Sequence, residues 1–451
     1  MSSRRVLAVA AAVTLLLGLL PAQVAAKSAD NPLPAGDASA VCASIFGSTF
    51  PVASTEPLAA CQWDMSLVHA NAAARARATG RGVVVGDIDT GVDITHPDIA
   101  PNLDLARSCS FIYSHDPTAL PVEMANGDCA NKAAVQDYSG HGTHTASNIA
   151  APINGIGIAG VAPAATLVAI KVCTSMGFCF ADSVTAGLRY AGDLRLDVVN
   201  MSLFADPYLY YCGNDAQQRA LYQSLKDAAK YAQQRGVLII AAAGNEADDI
   251  AHPTIDPISP DWPPDAAVLR TVNRNCKRAP TQLPGVVAVS ATGPVGVPGY
   301  TMNIASYSNV GMGQVAVAAP GGDYFAATGT VQDAVLGAWS STDDGLYDFY
   351  SSLPYPGLTA TDGGARYIFI TGTSMAAPHA TGVAALIIEQ HPNWSPGAVA
   401  AALQASAAAM ACPPNWQPLF PGDLRLKCYG GGGRTSFFGH GMVDAVAATR
   451  R

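Results

Sequence analysis

Three short segments of this chain put reactive side chains into settings that ordinary structure does not require. The first is Asp87-Ile88-Asp89-Thr90-Gly91, where Asp89 follows an apolar run. In an open α/β sheet, ligands gather beyond the carboxyl ends of strands, so an acid there is well placed for chemistry; a turn acid closing the strand is the plainer alternative. The second is Ser139-Gly140-His141-Gly142-Thr143-His144. Glycines on both sides of His141 let the backbone pack closely and leave the imidazole accessible, and Thr143 onward reads as a helix start. Two histidines three apart can also bind a metal. However, no glutamate follows His141 as in the H-E-x-x-H motif, and no cysteine is near. One histidine for catalysis and one for packing is the better division. The third is Gly372-Thr373-Ser374-Met375-Ala376-Ala377-Pro378-His379. Ser374, among small residues at a loop-to-helix turn, exposes a hydroxyl where a helix N-terminus favours developing negative charge; alone it would also read as an N-cap. An acid to orient, an imidazole to move a proton and a hydroxyl to attack are the parts of nucleophilic acyl transfer. Their chain order is Asp–His–Ser, which differs from the Ser–Asp–His and His–Asp–Ser orders of two other known arrangements.

Such groups need a rigid support, and the sequence supplies one. Val83 to Ile88, Thr166 to Val172, Val198 to Met201, Val237 to Ala242 and Val286 to Val289 are short continuous apolar runs. Strands buried on both faces of a parallel sheet look like this. Between them, Asp215 to Arg235 reads as a helix stopped by Gly236, and Ser395-Pro396 opens an alanine-rich one. The alternation predicts an α/β domain with a parallel sheet. Stretches 101–137, 204–214, 246–282 and 322–366, dense in Gly, Pro, Asp and Tyr, read as inserted loops. Residues 27–60 are weakly patterned and too few for an ordinary domain.

The balance of the chain excludes whole classes. Of its 451 residues 49% are hydrophobic, which argues against disorder. A net charge of −9 leaves no electrostatic footprint for nucleic acid. Arg4 and Arg5 precede an apolar run from Val6 to Leu20, and Val24-Ala25-Ala26 offers small residues for cleavage, so 1–26 reads as a signal peptide. That run is shorter than the ~20 residues needed to span a bilayer, so membrane insertion is not expected. Behind such a signal, ten cysteines without a C-x-x-C pair read as up to five disulfides. Neighbour pairing, 42–61, 109–129, 173–179, 212–276 and 412–428, is the simplest of many connectivities. A secreted monomer is expected, with residues 27–60 as an N-terminal arm or short propeptide and 61–451 as one catalytic domain.

Taken together, the motifs resemble those of the subtilisin family of serine endopeptidases. Asp-Thr-Gly at 89–91 followed by His96-Pro97-Asp98, His-Gly-Thr-His at 141–144 and Gly-Thr-Ser-Met-Ala-Ala-Pro-His at 372–379 match its three signatures. Asn200-Met201-Ser202-Leu203, Ala243-Gly244-Asn245, His391-Pro392-Asn393-Trp394 and Gly439-His440-Gly441-Met442 are also similar, so the likeness spans roughly Gln62 to Ala448. The resemblance implies a three-layer α/β/α fold with a mainly parallel central sheet. It implies Ser374 as nucleophile, His141 as base, Asp89 as its orienting acid and Asn245 as oxyanion donor, with no cofactor required for the chemistry. Asn245 is expected to be buried beside the strand Val237–Ala242. Polypeptide substrates would bind extended between Ser202-Leu203-Phe204 and Ala242-Ala243-Gly244. Phe204 stands where glycine is usual and would either narrow the pocket mouth or turn into the insert. Glu246, Asp248 and Asp249 would either favour a basic residue before the cut or form a solvated acidic loop.

A structural calcium is a further implication. Asp98 and Asn154 would give side-chain oxygens, and Pro152, Ile156 and Ile158 carbonyls, a hard-oxygen set suited to that ion. The N-terminal glutamine that completes the site in many relatives has no evident counterpart. Nothing in 27–60 resembles the folded inhibitory pro-domain of many relatives, so autoinhibition is not carried over. Two rival readings fit the residues less well. An aspartic peptidase needs two Asp-Thr-Gly carboxylates and only one exists. A catalytically silent binding protein on the same fold would not label with a serine-directed reagent.

Overall fold

Each apolar run becomes a strand whose alternate side chains enter two different cores. In the computed structural model, which describes residues 32–47, 49–263, 265–295, 301–324, 330–343, 345–353, 357–414, 426–431 and 433–450, eight strands form the central sheet. They are β1 Val84–Asp89, β2 Cys109–Ser110, β3 Thr166–Lys171, β4 Val198–Met201, β5 Leu238–Ala242, β6 Val287–Val295, β7 Thr301–Ile304 and β8 Val315–Pro320. The order is β7-β6-β5-β4-β1-β3-β2, with β8 also on β6. Every pairing is parallel except β6 with β7. The five strand runs read from the sequence all lie in this sheet.

Side-chain alternation explains the three layers. Val85, Leu167, Ala169, Val198, Leu238 and Ile240 pack into one core with helices α1 His141–Ala150, α4 Thr373–Gln390 and α5 Pro396–Ser406. Ile88, Val168, Ile170, Val199, Ile239 and Ala241 face the opposite way, onto α2 Ala181–Leu194 and α3 Ala216–Gln234. Local signals set the helix ends: Asp215 accepts from the Gln218 N–H at 2.9 Å, and Ser395 caps α5 from Ala398 N. Gly236 follows α3 at φ +98°, where only glycine is unstrained.

Two expectations need correction. The 322–366 stretch is not a loop throughout. Val335–Trp339, Thr359–Asp362 and Ala365–Ile370 form an antiparallel sheet, and Leu33–Pro34 adds a fourth, parallel strand. The arm is also patterned. Ala35–Phe46 is a helix whose Ala38, Cys42 and Phe46 are buried, and they pack with Trp63, Leu336 and Phe369. All five disulfides follow the neighbour pairing. Residues 1–26 lie outside the described residues. No helix among the described residues is long and apolar enough to cross a membrane.

Candidate active site

The reactive groups lie beyond the carboxyl ends of three neighbouring strands, where Asp89 pairs with His141 while Ser374 is held by Ser202 and Asn245 by Thr373. Asp89 ends β1, Ser202 follows β4, and Asn245 follows β5. Asp89 is buried, and its Oδ1 accepts from Thr90 N at 2.7 Å and sits 2.7 Å from His141 Nδ1. Burial by itself would hold the His141 imidazole low. The Asp89 charge outweighs that and holds it above its ordinary range. Next door, burial and the proximity of Asp89 push the Asp87 carboxyl up to about 8. Asp87 accepts from Asn200 Nδ2 and from the Thr145 hydroxyl.

Helix α1 begins at His141 itself, two residues before the expected start, and a buried acid fixes that start. Asp137 Oδ1 accepts from Ser139 N, Gly140 N and the Thr90 hydroxyl, each at 2.9 Å. Its Oδ2 accepts from Thr143 N at 3.0 Å and from the Thr143 hydroxyl at 2.6 Å. Gly140 N and Thr143 N, two of the N–H groups that a helix start leaves unpaired, are thereby satisfied, and Gly142 N donates to the Thr90 hydroxyl oxygen at 2.8 Å. Gly142 lies so close to β1 that a Cβ there would stand 2.1 Å from Gly91 O. His144 is the packing histidine: fully buried, with Nε2 3.2 Å from Val335 O, its imidazole pushed down to about 3 by burial.

Ser374 is half-buried in the first turn of α4. Its hydroxyl donates to Ser202 O at 3.2 Å, and the Ser202 hydroxyl donates back to Ser374 O at 2.8 Å. Asn245 is exposed, not buried as the sequence had implied, because the chain leaves the sheet at Ala243. Its orientation is nonetheless fixed. Asn245 Oδ1 accepts from both the N–H and the hydroxyl of Thr373, each at 2.8 Å, while Thr373 Oγ1 accepts from Gly244 N at 3.0 Å. With its oxygen so occupied, the amide Nδ2 is the end left for a ligand; it lies 3.7 Å from a Cβ placed on Gly372. Thr373 and Asp137 are positioning residues that the sequence reading missed. Thr373 lay within a recognised motif without a role, and Asp137 sat at the edge of a supposed loop.

The two expected pocket walls, Ser202-Leu203-Phe204 and Ala242-Ala243-Gly244, flank these groups. Phe204 turns away, packing against Leu209, Tyr210, Cys212, Val272 and Cys276. The three acids after Asn245 are neither open to a basic substrate nor simply solvated. Glu246 pairs with buried Arg278 at 2.6 Å, Asp248 accepts from the Tyr210 hydroxyl at 2.6 Å, and Asp249 pairs with His252 at 2.9 Å.

The loop expected to hold calcium presents the wrong groups for a cation. Gly155 N donates to Glu56 Oε2 (2.8 Å), Gly157 N to Asp362 Oδ2 (2.8 Å) and Ile158 N to Asp98 Oδ2 (3.1 Å). Asp98 Oδ2 also accepts from the Tyr367 hydroxyl at 2.8 Å, and that hydroxyl stands 1.9 Å from where a Gly157 Cβ would be. Asn154 Oδ1 is taken by Ile156 N. The expected donors Asp98, Asn154, Pro152, Ile156 and Ile158 are thus in one loop region, but their side-chain oxygens already accept N–H and O–H bonds. A glutamine does reach this loop. Gln62 exchanges two hydrogen bonds with the backbone of Ala159, at 2.9 and 3.1 Å.

An acid-oriented imidazole and a hydroxyl at a helix start, set on one end of a parallel sheet, place the chain among the serine-type peptidases. It belongs to the subtilase family, whose model matches residues 80–441. It is 31% identical over 389 residues to the M-protease of Shouchella clausii (strain KSM-K16), covering 86% of this chain and 70% of that one. Subtilisin Savinase of Lederbergia lenta is 30% identical over 389 residues, covering 86% and 98%. Among solved structures, fervidolysin from Fervidobacterium pennivorans, a keratinolytic enzyme related to subtilisin, superposes with a TM-score of 0.57 at 25% identity, over 88% of this chain and 46% of that one. A lanthipeptide protease gives a TM-score of 0.60 at 24% identity, over 86% and 93%, a likeness of fold.

Proposed function

We propose that the protein is a secreted endopeptidase that cleaves polypeptides through an acyl-enzyme on Ser374. The Asp89–His141 pair, with Asn245 anchored by Thr373, carries this reading. Rotation of the Ser374 hydroxyl away from Ser202 O would offer its proton to His141, and attack on the scissile carbonyl would follow. His141 then returns the proton to the leaving amine, while Asp89 holds the tautomer and stabilises the imidazolium. Asn245 Nδ2 and the Ser374 N–H would receive the oxyanion. The substrate would add as an extended strand between 202–204 and 242–244.

In this reading residues 1–26 direct export, 27–60 form an arm that stays on the mature protein as a monomer, and no cofactor enters the chemistry. The arm supplies Glu56 to loop 154–158, and the Cys42–Cys61 disulfide would tether it even after a cut between them. The donor set at Asp98 does not fit calcium. The Tyr367 hydroxyl and backbone N–H groups take the place of a cation there. A serine-directed fluorophosphonate tests the central claim. The oxidised protein should gain one adduct at Ser374 and cleave a denatured protein substrate, and Ser374→Ala should do neither. Correctly oxidised protein that takes no label at Ser374 would instead be a silent member of the fold.

A further inference from the structure

The segment 278–281 bridges the two proposed walls. Ala205 N donates to Ala279 O at 2.9 Å, joining it to the 202–204 side, and the Thr281 hydroxyl donates to Ala242 O at 2.7 Å, joining it to the other. Arg278 consequently lies under Gly244. Gly244 takes φ +105°, and a Cβ built there would stand 2.7 Å from Arg278 Nη2 and 2.8 Å from Glu246 Oε2. A side chain at this position would collide with the ion pair beneath it.

Arg278 is only 1% exposed, yet its hydrogen bonding is incomplete. Nη2 meets Glu246 Oε2, which also accepts from Asn309 Nδ2 at 2.7 Å, and the guanidinium lies 5.0 Å from the Tyr210 ring centre. The Tyr210 hydroxyl is a further partner of the guanidinium, but Nε and Nη1 find no hydrogen bond of good geometry among the described residues. A guanidinium carries five N–H donors, and a buried donor left unpaired is costly. A ligand that brought an oxygen acceptor to this floor would relieve that cost.

We propose that Arg278 is the specificity-determining floor of the primary pocket and selects, before the scissile bond, a side chain that ends in an oxygen acceptor: glutamate or glutamine. This rests on the endopeptidase reading and on walls 202–204 and 242–244. Glu246 tunes the choice between the two, since its charge opposes a substrate carboxylate but not an amide.

The test is a series of peptides alike except for Glu, Gln, Lys, Phe or Ala before the cut, with kcat/KM measured for wild type, Arg278→Met and Glu246→Gln. Wild type should favour Gln or Glu. Arg278→Met should lose roughly tenfold or more of that preference relative to the Ala peptide, the size expected of a charge-assisted hydrogen bond. Glu246→Gln should raise Glu relative to Gln. A wild-type preference for Lys or Phe, or an unchanged ranking in Arg278→Met, overturns the proposal. If Arg278→Met does not fold, an unchanged Glu-to-Gln ratio in Glu246→Gln overturns it. Fluorophosphonate labelling separates the two failures. No label on wild type removes the peptidase reading itself, whereas normal labelling with a flat ranking removes only the role of Arg278.

Discussion

Replacing Thr373 by valine removes one hydroxyl, keeps the volume and touches no reacting atom, so it isolates how Asn245 is aimed. Two things are lost. Asn245 Oδ1 keeps the backbone N–H of residue 373 but loses the hydroxyl bond of 2.8 Å, and Gly244 N loses its acceptor at 3.0 Å. One of two neutral bonds on the amide is worth about 0.5–1.5 kcal/mol. If all of it served to hold the amide for the transition state, kcat would fall roughly 2- to 12-fold. Removing the amide by Asn245→Ala should cost far more. For subtilisin, where this asparagine is a known case, the loss is about 10²–10³ in kcat. The orphaned Gly244 N–H adds a stability cost of about 1–3 kcal/mol, because Thr373 is fully buried and no water replaces the hydroxyl. Steady-state kinetics on a chromogenic peptide, with denaturant unfolding alongside, separates the two effects. A kcat within 1.5-fold of wild type in Thr373→Val, beside a hundredfold loss in Asn245→Ala, would show that the backbone N–H alone orients the amide. A loss under threefold in Asn245→Ala would remove the oxyanion role altogether.

Asp89→Asn removes the charge that holds the His141 imidazole high. The acid limb of kcat/KM should move to lower pH while kcat falls by roughly 10⁴, through loss of the productive tautomer; an unmoved limb assigns it to another group. Burial lifts the Asp98 carboxyl from 3.8 to about 7. Because its folded value is raised, its contribution is complete below the unfolded value and is lost as pH rises toward and through about 7. The full span is at most roughly 4 kcal/mol. Denaturant midpoints of wild type and Asp98→Asn should therefore converge or cross as pH rises from 4 to 8, with a chelator leaving both unmoved. A pH-independent difference, or a chelator-sensitive wild type, contradicts the hydrogen-bonded loop. The Cys42–Cys61 bridge closes a segment of 19 residues. Its removal as the double serine variant should cost about 3 kcal/mol in the chain-entropy treatment, and limited proteolysis should then cut within 47–57 while the wild-type arm resists.

What could be read in advance was what short sequence windows encode. The parallel strands announce themselves because burial on both faces demands unbroken apolar runs, and Asp89, His141 and Ser374 each sit in a motif a few residues long. The strands Val335–Trp339 and Ala365–Ile370 carry apolar runs too, but they lie among Gly, Asp and Tyr whose turn chemistry masks them locally. The arm helix held its signal in plain view: Ala38, Cys42 and Phe46 recur every four residues, the spacing of one helical face. Asp137 acts mostly on Ser139, Gly140 and Thr143, a local cap that lay in view beside the histidine motif. Thr373 and Arg278 were beyond reach for another reason: each acts through a partner distant in sequence, Arg278 through Glu246 and Thr373 through Asn245, and nothing in a window of neighbours encodes such a meeting.

The Cys212–Cys276 bridge joins two of the inserted stretches, 204–214 and 246–282. Cys212 and Cys276 face one another across an antiparallel pairing in which Tyr211 opposes Lys277. The bridge therefore ends two residues before Arg278, and on its other side lies the 204–212 segment whose Phe204 turns into the same cluster. Two inserts, far apart in the chain, are joined where they meet the cleft. Neither needs the bridge to fold the parallel sheet, whose strands β4 to β6 pair without them. On the proposal that Arg278 floors the pocket, the bridge would set the height of the 276–278 segment relative to the 202–205 wall, and with it the depth at which the guanidinium could meet a substrate side chain. A hydrogen bond to a side chain weakens steeply with small errors of distance and angle, so a floor that selects by hydrogen bonding has more need of a covalent brace than one that selects by size.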